Sequence, residues 1–282
     1  MNVRFGPSVP LCLLLAGLCF TPAVTTAAQN QSAQMMSPPK ILEVIVEYVK
    51  PGQAGSPHQK TEGAFAQAMR DAKWQTRYLG TNALTGRQRA VFFVGYNSFA
   101  DWQKDNDAQQ KNTSLAAALD SATVADGALL QDVQTNVLHF REDMSLRPGA
   151  APGTHYFEAT IFRIHSGHEK DWDTVVKMYK DAYEKNAPDA HWDMFEQMYG
   201  MDSGNTFVLF TPMKSLDEVD NNMMNDKKIA DAVGPEQMQK MRDLASATAD
   251  VVQSNLLAID PKMSYPPDEW TQGDPSFWNQ KQ

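Results

Sequence analysis

Cysteine is nearly absent from this sequence of 282 residues: the two that occur, Cys12 and Cys19, both precede residue 20. They fall in a segment with the pattern of a signal peptide, in which Arg4 precedes the apolar run VPLCLLLAGLCF and small residues follow. We therefore expect cleavage after Ala28 and a secreted or periplasmic protein. The mature chain would then have no disulfide, no thiolate metal ligand and no cysteine nucleophile.

Basic residues are also fewer than acidic residues. The chain has 25 Lys and Arg against 34 Asp and Glu, a net charge of −9, and loss of Arg4 with the signal peptide would make it −10. A nucleic acid or an anionic membrane surface requires a basic patch, so neither is expected as a partner. No stretch after the signal peptide is long and apolar enough to span a bilayer, so no membrane association is expected after cleavage.

Recognisable catalytic and metal-binding motifs are missing too. No nucleophile elbow and no phosphate-binding glycine loop occurs. His165 and His168 could bind zinc or iron if Asp171 converged on them. However, the intervening Ser-Gly is typical of a turn that leads into a helix, and His191 is expected at the opposite end of a strand. We therefore predict no metal site and no cofactor, and the sequence leaves open whether the chain is catalytic.

What the sequence does contain is an internal repeat. The segment VQTNVLHF returns as VQSNLLAI, with Asn136 and Asn255 separated by 255 − 136 = 119 residues. Glu43 and Glu158 occupy matching positions in another pair of segments, at an offset of 115. Further matches are the segments 41–52 and 156–167 and the tetrapeptides DAKW and DAHW, which end at Trp74 and Trp192. Self-similarity at a nearly fixed period indicates a duplicated unit.

Each copy has the β-α-β-β-α-β pattern of the ferredoxin-like unit, with Trp74 and Trp192 opening strand 2 and Gly86 and Gly204 in the hairpin turn. Such a unit leaves one sheet face bare, and a second copy can cover it. We therefore predict an α+β protein: two tandem ferredoxin-like βαββαβ units packed sheet to sheet as an intrachain dimeric α/β barrel. The predicted segments are a signal peptide (1–28), a flexible leader (29–40), repeat 1 (41–145), a linker (146–155), repeat 2 (156–262) and a C-terminal tail (263–282).

A strand ending in EYVKPG, an amphipathic helix, a tryptophan-opened hairpin and a polar fourth strand resemble the dimeric α/β-barrel superfamily. That group includes NIPSNAP-like proteins, antibiotic-biosynthesis-type monooxygenases, stress-responsive barrels and haem-handling chlorite dismutases. The resemblance covers about 41–145 and 156–262, and it implies the fold and a ligand-sized cavity. It transfers no catalytic residue, because no catalytic motif matches.

Strand alternation suggests which polar side chains face the lumen, the interior of the barrel. Side chains alternate between the two faces of a strand. If Leu42, Val44 and Val46 pack under the helices, Glu43 and Glu158 point into the lumen. We therefore predict Glu43 and Glu158 as catalytic residues in a shared cavity, at least one of them with a raised pKa. The amides predicted to bind the ligand beside them are Asn136, Asn255, Gln134 and Gln253.

These features favour an exported protein that binds a small organic molecule in the lumen, as a cofactor-independent monooxygenase or isomerase. A haem- or metal-dependent oxidoreductase of the same superfamily is one alternative, and a non-catalytic interaction module is another. The tail beyond Pro266 contains Trp270, Phe277 and Trp278 among prolines and acids. We interpret it as a strap on the barrel, with a partner-binding peptide as the alternative.

Overall fold

The computed structural model describes residues 37–200 and 205–279. The predicted signal peptide, most of the predicted leader and Gly204 lie outside these residues. Within them the strands are β1 (Ile41–Val49), β2 (Tyr78–Ala83), β3 (Arg89–Tyr96), β4 (Leu130–Phe140), β5 (Tyr156–Ile164), β6 (Asp193–Tyr199), β7 (Thr206–Met213) and β8 (Ala249–Ile259). The α-helices are α1 (Ser56–Asp71), α2 (Phe99–Lys111), α3 (Thr113–Gly127), α4 (Glu169–Asn186), α5 (Asp217–Val233), α6 (Pro235–Thr248), α7 (Asp268–Gly273) and α8 (Pro275–Trp278).

The eight strands close into one antiparallel barrel in the order β1-β3-β2-β8-β5-β7-β6-β4. Each repeat supplies a four-stranded sheet, β4-β1-β3-β2 or β8-β5-β7-β6, which is the strand order of a ferredoxin-like unit. The β2–β8 and β4–β6 pairs form the two seams between the sheets. The predicted fold class is therefore confirmed.

The strand register makes the two predicted asparagines equivalent. Asn136 on β4 is paired with Val44 on β1, and Asn255 on β8 is paired with Ala159 on β5. The offset between the β1 and β5 members is 159 − 44 = 115, and the asparagines differ by 119, as in the sequence repeat. The repetition in the sequence is therefore a repetition of structure.

The equivalence of Trp74 and Trp192 is wrong. Trp192 forms a bridge with Leu146 just before β6, and the matching bridge in the first repeat joins Tyr78 to Tyr265. The offset between the second strands is thus 192 − 78 = 114 rather than 118. Trp74 lies four residues before β2, in the loop that corresponds to residues 187–192 of the second repeat, and at this offset its counterpart (74 + 114 = 188) is Pro188.

Inward-facing side chains of both repeats fill much of the lumen. Leu42 and Val44 on β1 and Phe157 and Ala159 on β5 are buried in one apolar cluster. An eight-stranded barrel is just wide enough for side chains to fill, so the lumen takes the aliphatic and aromatic face of each strand. Other buried strand residues of this cluster are Val91, Leu138, Phe195, Val208, Phe210, Leu257 and Ile259. The helices between the strands pack on the outer face, and none of those in the described residues is long and apolar enough to cross a bilayer.

Two glycines pack against the asparagines at the seams. Gly200 follows β6 with φ 112°, and a Cβ there would overlap both the backbone and the side chain of Asn136. Gly86, with φ 76°, approaches the side chain of Asn255 in the same way in the β2–β3 hairpin. Each asparagine therefore lies against a hairpin of the other repeat.

Replacing Gly200 with alanine is expected to destabilise the protein by about 1–3 kcal/mol, because the backbone is left-handed there and the new methyl group has no room. Urea denaturation would measure the change. Gly127→Ala, at the end of α3, is the matched control, since an added Cβ there meets no atom within 4 Å. It should leave stability unchanged or raise it by up to about 1 kcal/mol. Equal unfolding midpoints for the two variants would contradict the close packing at this seam.

Candidate small-molecule site at one end of the barrel

A cavity of about 810 Å³ opens at the end of the barrel where β1 and β2 begin and β3 ends. Its inner wall consists of lumen side chains from both repeats, and its mouth is formed by residues 37–39, the loop before β2, one side of α2 and the C-terminal tail. A cavity of this size is typical of sites for small organic molecules. Aromatic residues that line it are Phe93, Phe157, Phe195 and Phe210 inside and Trp74, Tyr78, Tyr96 and Trp270 nearer the mouth.

The inner wall is a set of interlocking phenyl rings. Phe93, from the first repeat, contacts Phe157 and Phe210 of the second, with ring centroids 5.7 and 5.4 Å apart in edge-to-face geometry. Phe195 contacts Phe210 in a similar way at 5.8 Å. Edge-to-face pairs are favourable beyond the area that they bury. The cavity therefore has an apolar, aromatic inner surface.

One buried carboxylate, Asp193, lines this apolar wall. The register pairs Asp193 with Phe210, which places both side chains on the lumen face. Asp193 is 7% exposed, and its Oδ1 accepts a hydrogen bond of 2.7 Å from the amide of Gly149. Burial raises the pKa of Asp193 to about 6, against the opposing effects of Gly149 and His191. Such a group is ionised at neutral pH and basic enough to accept a proton.

Asp193 is not among the site residues that the sequence predicts, although the repeat contains a signal for it. Its counterpart in the first repeat is Leu79, which is paired with Phe93 as Asp193 is with Phe210. The Trp74–Trp192 alignment hid this match, because it places Gln75 opposite Asp193. A carboxylate at a position where the duplicated unit has leucine is not required by the fold, and it therefore indicates a function specific to the second repeat.

Asp105 on α2 holds the loop before β2 against the mouth. Its Oδ1 accepts hydrogen bonds from the Trp74 indole, at 2.8 Å, and the Thr76 hydroxyl, at 2.7 Å. Its Oδ2 accepts from the Tyr96 hydroxyl at 3.2 Å and from Gln109 at 3.0 Å. Four donors on one carboxylate fix both the loop and the helix. The mouth of the cavity is therefore organised before a ligand binds.

The C-terminal tail closes part of the cavity end. Trp270 on α7 lines the cavity and packs edge-to-face on Trp278 of α8, with centroids 6.1 Å apart. Both indoles are buried in the same apolar cluster as the lumen residues. His155 stacks on Phe277 at 4.0 Å and contacts Asp274 at 2.7 Å, which anchors the tail to the start of β5. The tail is a strap on the barrel, as predicted, and it also contributes a wall of the site.

Comparison with solved structures identifies the fold. A protein of Fusobacterium nucleatum named as a candidate monooxygenase matches with a TM-score of 0.50 and 12% identity, covering 79% of this chain and 94% of that one. An anthrone oxidase-like protein matches at 0.48 and 12%, covering 80% and 94%. A haem-binding protein of Thermus thermophilus matches at 0.43 and 10%, covering 88% and 100%. The fold is a dimeric α/β barrel. No family model and no curated protein matches the sequence.

In this dimeric α/β barrel, the predicted lumen position of Glu43 and Glu158 is wrong. Glu43 lies on the outer face, where burial and, second, Asp105 on α2 raise its pKa. Glu158 accepts a hydrogen bond of 3.3 Å from Ser254 and lies near Tyr183 on α4. Leu42 and Val44, which are predicted to pack under the helices, face the lumen instead. Because side chains alternate between the two faces of a strand, both carboxylates point outward. Neither carboxylate lines the cavity. A catalytic role for Glu43 and Glu158 remains a prediction, but it no longer has the support of a shared cavity.

Asn136, Asn255, Gln134 and Gln253 lie on the lumen face of the dimeric α/β barrel, as expected from alternation. They are nearer the other end, however, and do not line the cavity. Asn136 accepts a hydrogen bond of 3.2 Å from Gln197, and Asn255 donates one of 3.2 Å to Gln253. The predicted contact of the two asparagines with Glu43 and Glu158 is wrong. The strand register pairs Asn136 with Val44 and Asn255 with Ala159, whose side chains face the lumen, whereas the glutamates point to the outer face. Ligand binding by the four amides stays a prediction.

His165 and His168 lie at an exposed turn before α4. The Nδ1 atom of His168 is 2.9 Å from Asp171, whereas His165 contacts the Ala247 carbonyl at 2.9 Å and Asp250 at 3.2 Å. Each ring thus contacts different groups, and Asp171 does not bridge them in a described contact. The two histidines are accordingly placed like surface residues.

Proposed function

We propose that the protein binds a small, flat and largely apolar organic molecule in the 810 Å³ cavity, with Asp193 accepting a hydrogen bond from it. The buried carboxylate in an aromatic wall supports this proposal most directly. Apolar pockets with a few well-placed polar groups are the usual sites for such ligands. A ligand that presents an O–H or N–H group to Asp193 would satisfy the carboxylate and bury its ring against Phe157 and Phe210.

Proton abstraction is the chemistry that Asp193 can perform on a bound ligand. A carboxylate with a pKa near 6 is a better base at neutral pH than a solvated aspartate, and the apolar wall keeps water away from it. Removal of a proton from the substrate is a first step shared by cofactor-independent oxygenation and by isomerisation. Asp193 therefore supports the monooxygenase or isomerase interpretation.

A haem does not suit the donor set of this cavity. Among the described residues that line it, none is histidine, cysteine or methionine. Haem iron in proteins is most often held by one of these side chains. The apolar-ligand proposal also agrees better with this cavity than a solid-cored interaction module, which would leave no ligand-sized space.

The test compares two neutral probes, 2-naphthol and 2-methylnaphthalene, by quenching of tryptophan fluorescence. Both should bind at one site per chain. Asp193→Leu, which introduces the residue of the first repeat, should weaken 2-naphthol binding by about 10- to 100-fold through loss of a charged acceptor. Binding of 2-methylnaphthalene should stay the same or tighten. Asp132→Asn, on an exposed part of β4, is the control and should change neither. Equal effects of Asp193→Leu on the two probes would refute the acceptor role.

We propose further that the protein is exported, on the sequence of residues 1–28 alone. N-terminal sequencing of the protein recovered from culture medium or periplasm should begin at Gln29. Recovery of chains that begin at Met1 only in the cytosol would contradict this proposal.

A further inference from the structure

Four ionisable side chains meet on the outer face of the first repeat, away from the cavity lining. They are Glu47 on β1, His58 and Glu62 on α1, and Asp126 on α3. His58, Glu62 and Asp126 are each less than 5% exposed, and the Glu47 side chain is 14% exposed. Charged residues are rarely buried this deeply unless they are paired or coordinate a metal.

The donor atoms converge on one point. His58 Nε2 lies 3.1 Å from Glu47 Oε2, 3.4 Å from Asp126 Oδ1 and 3.9 Å from Glu62 Oε1. All four donor atoms lie within 4.8 Å of one another. Ligands held at about 2.0–2.2 Å from a single ion are themselves roughly 3–4.4 Å apart. The spacing thus matches a first coordination shell with only small side-chain adjustments.

One of these four candidate ligand atoms has no hydrogen-bond partner. Glu62 Oε1 is buried and has no partner among the described residues. A single imidazole also cannot neutralise three carboxylates. A bound cation would give the Glu62 Oε1 atom a partner and offset the charge of the carboxylates.

The second repeat shows that the fold does not need charges here. At the matching position of β5, offset by 162 − 47 = 115, stands Phe162, which packs on Trp172 of α4 with centroids 5.2 Å apart. Val176, one turn further along α4, belongs to the same apolar cluster. Two copies of one unit therefore pack the same helix on the same strand, one with apolar residues and one with four ionisable residues. The difference indicates a function of the first repeat.

We propose that Glu47, His58, Glu62 and Asp126 bind one divalent first-row metal ion through one imidazole nitrogen and three carboxylate oxygens. Imidazole and carboxylate together suit Mn²⁺, Fe²⁺ and Zn²⁺, and the oxygen-rich set favours Mn²⁺ or Fe²⁺. Glu47, as the most exposed member, marks the entry side. None of the four residues lines the cavity, so this site and the proposed ligand site can fail independently.

The experiment uses the purified full-length chain, stripped with EDTA, dialysed and titrated with Mn²⁺. Calorimetry should give one site per chain, and pulsed EPR should show coupling of the bound Mn²⁺ to one imidazole nitrogen. At Mn²⁺ concentrations about 100 times the Kd, the Tm should rise by roughly 5–10 °C. These readings are made on the unaltered chain, so they do not depend on a variant folding. Absence of saturable binding, or bound Mn²⁺ without nitrogen coupling, would overturn the proposal.

Glu62→Gln distinguishes a metal ligand from a residue of purely structural importance. It keeps the side-chain shape and removes the buried charge, so the metal-free variant should melt no lower than the metal-free parent. Its Mn²⁺ affinity should fall at least about 10-fold, because a carboxylate ligand is lost. Asp171→Asn, in the exposed His168–Asp171 pair, is the control and should bind as the parent does. Unchanged Mn²⁺ binding in folded Glu62→Gln would refute the site.

Discussion

Replacing Trp270 with alanine is expected to destabilise the folded protein by about 3–5 kcal/mol, the usual cost of removing a buried aromatic side chain. Trp270 is 4% exposed and packs in the lumen cluster together with Trp278, so its loss would open a void at the end of the barrel. It would also remove a wall of the cavity. Chemical denaturation would give the change in stability, and 2-naphthol titration would give the loss of affinity.

The control for this prediction is Phe99→Ala. Phe99 is an aromatic residue that is 41% exposed on α2, and its removal should cost less than about 1 kcal/mol. If Trp270→Ala were as stable as Phe99→Ala, the tail would be only loosely associated with the barrel in solution. In that case, the alternative of a partner-binding peptide would gain support.

Replacing Asp193 with asparagine is expected to remove a pH-dependent penalty on stability. Because burial raises the pKa of Asp193 above its ordinary value of 3.8 to about 6, the folded state binds more protons than the unfolded state between these pH values. The contribution of this group to the free energy of unfolding therefore falls as the pH rises from about 3.8 to about 6, and stays low above that. The shift corresponds to about 3 kcal/mol.

Urea denaturation of the parent and Asp193→Asn at several pH values would test this. The difference between their unfolding free energies should grow by about 3 kcal/mol in favour of the variant between pH 3.5 and pH 7. Effects of the other carboxylates, and any constant effect of the amide, cancel in the comparison. A difference that does not change with pH would show that the Asp193 carboxylate is well solvated, and it would remove the main support for its role as a base.

The amino-acid sequence by itself determined the architecture. The return of Asn136 as Asn255 and of Glu43 as Glu158 indicated two copies of one unit, and the bare sheet face of that unit required the second copy as its cover. The register confirms both equivalences. These inferences succeeded because the repeat and the apolar alternation indicate which segments are strands and that two equivalent sheets must cover each other. Neither inference requires knowledge of the direction in which a particular side chain points.

Only the tertiary structure decided which face of β1 and of β5 is the lumen. Leu42 and Val44 suit a helix interface and a narrow barrel equally well, since both environments are apolar, and alternation fixes relative but not absolute direction. That one reversal moved Glu43 and Glu158 out of the proposed site. Asp193, His58 and Asp126 come from distant parts of the chain, and their neighbours are set by barrel closure and helix packing. The sites therefore depend on three-dimensional proximity that neither periodicity nor the repeat alone could reveal.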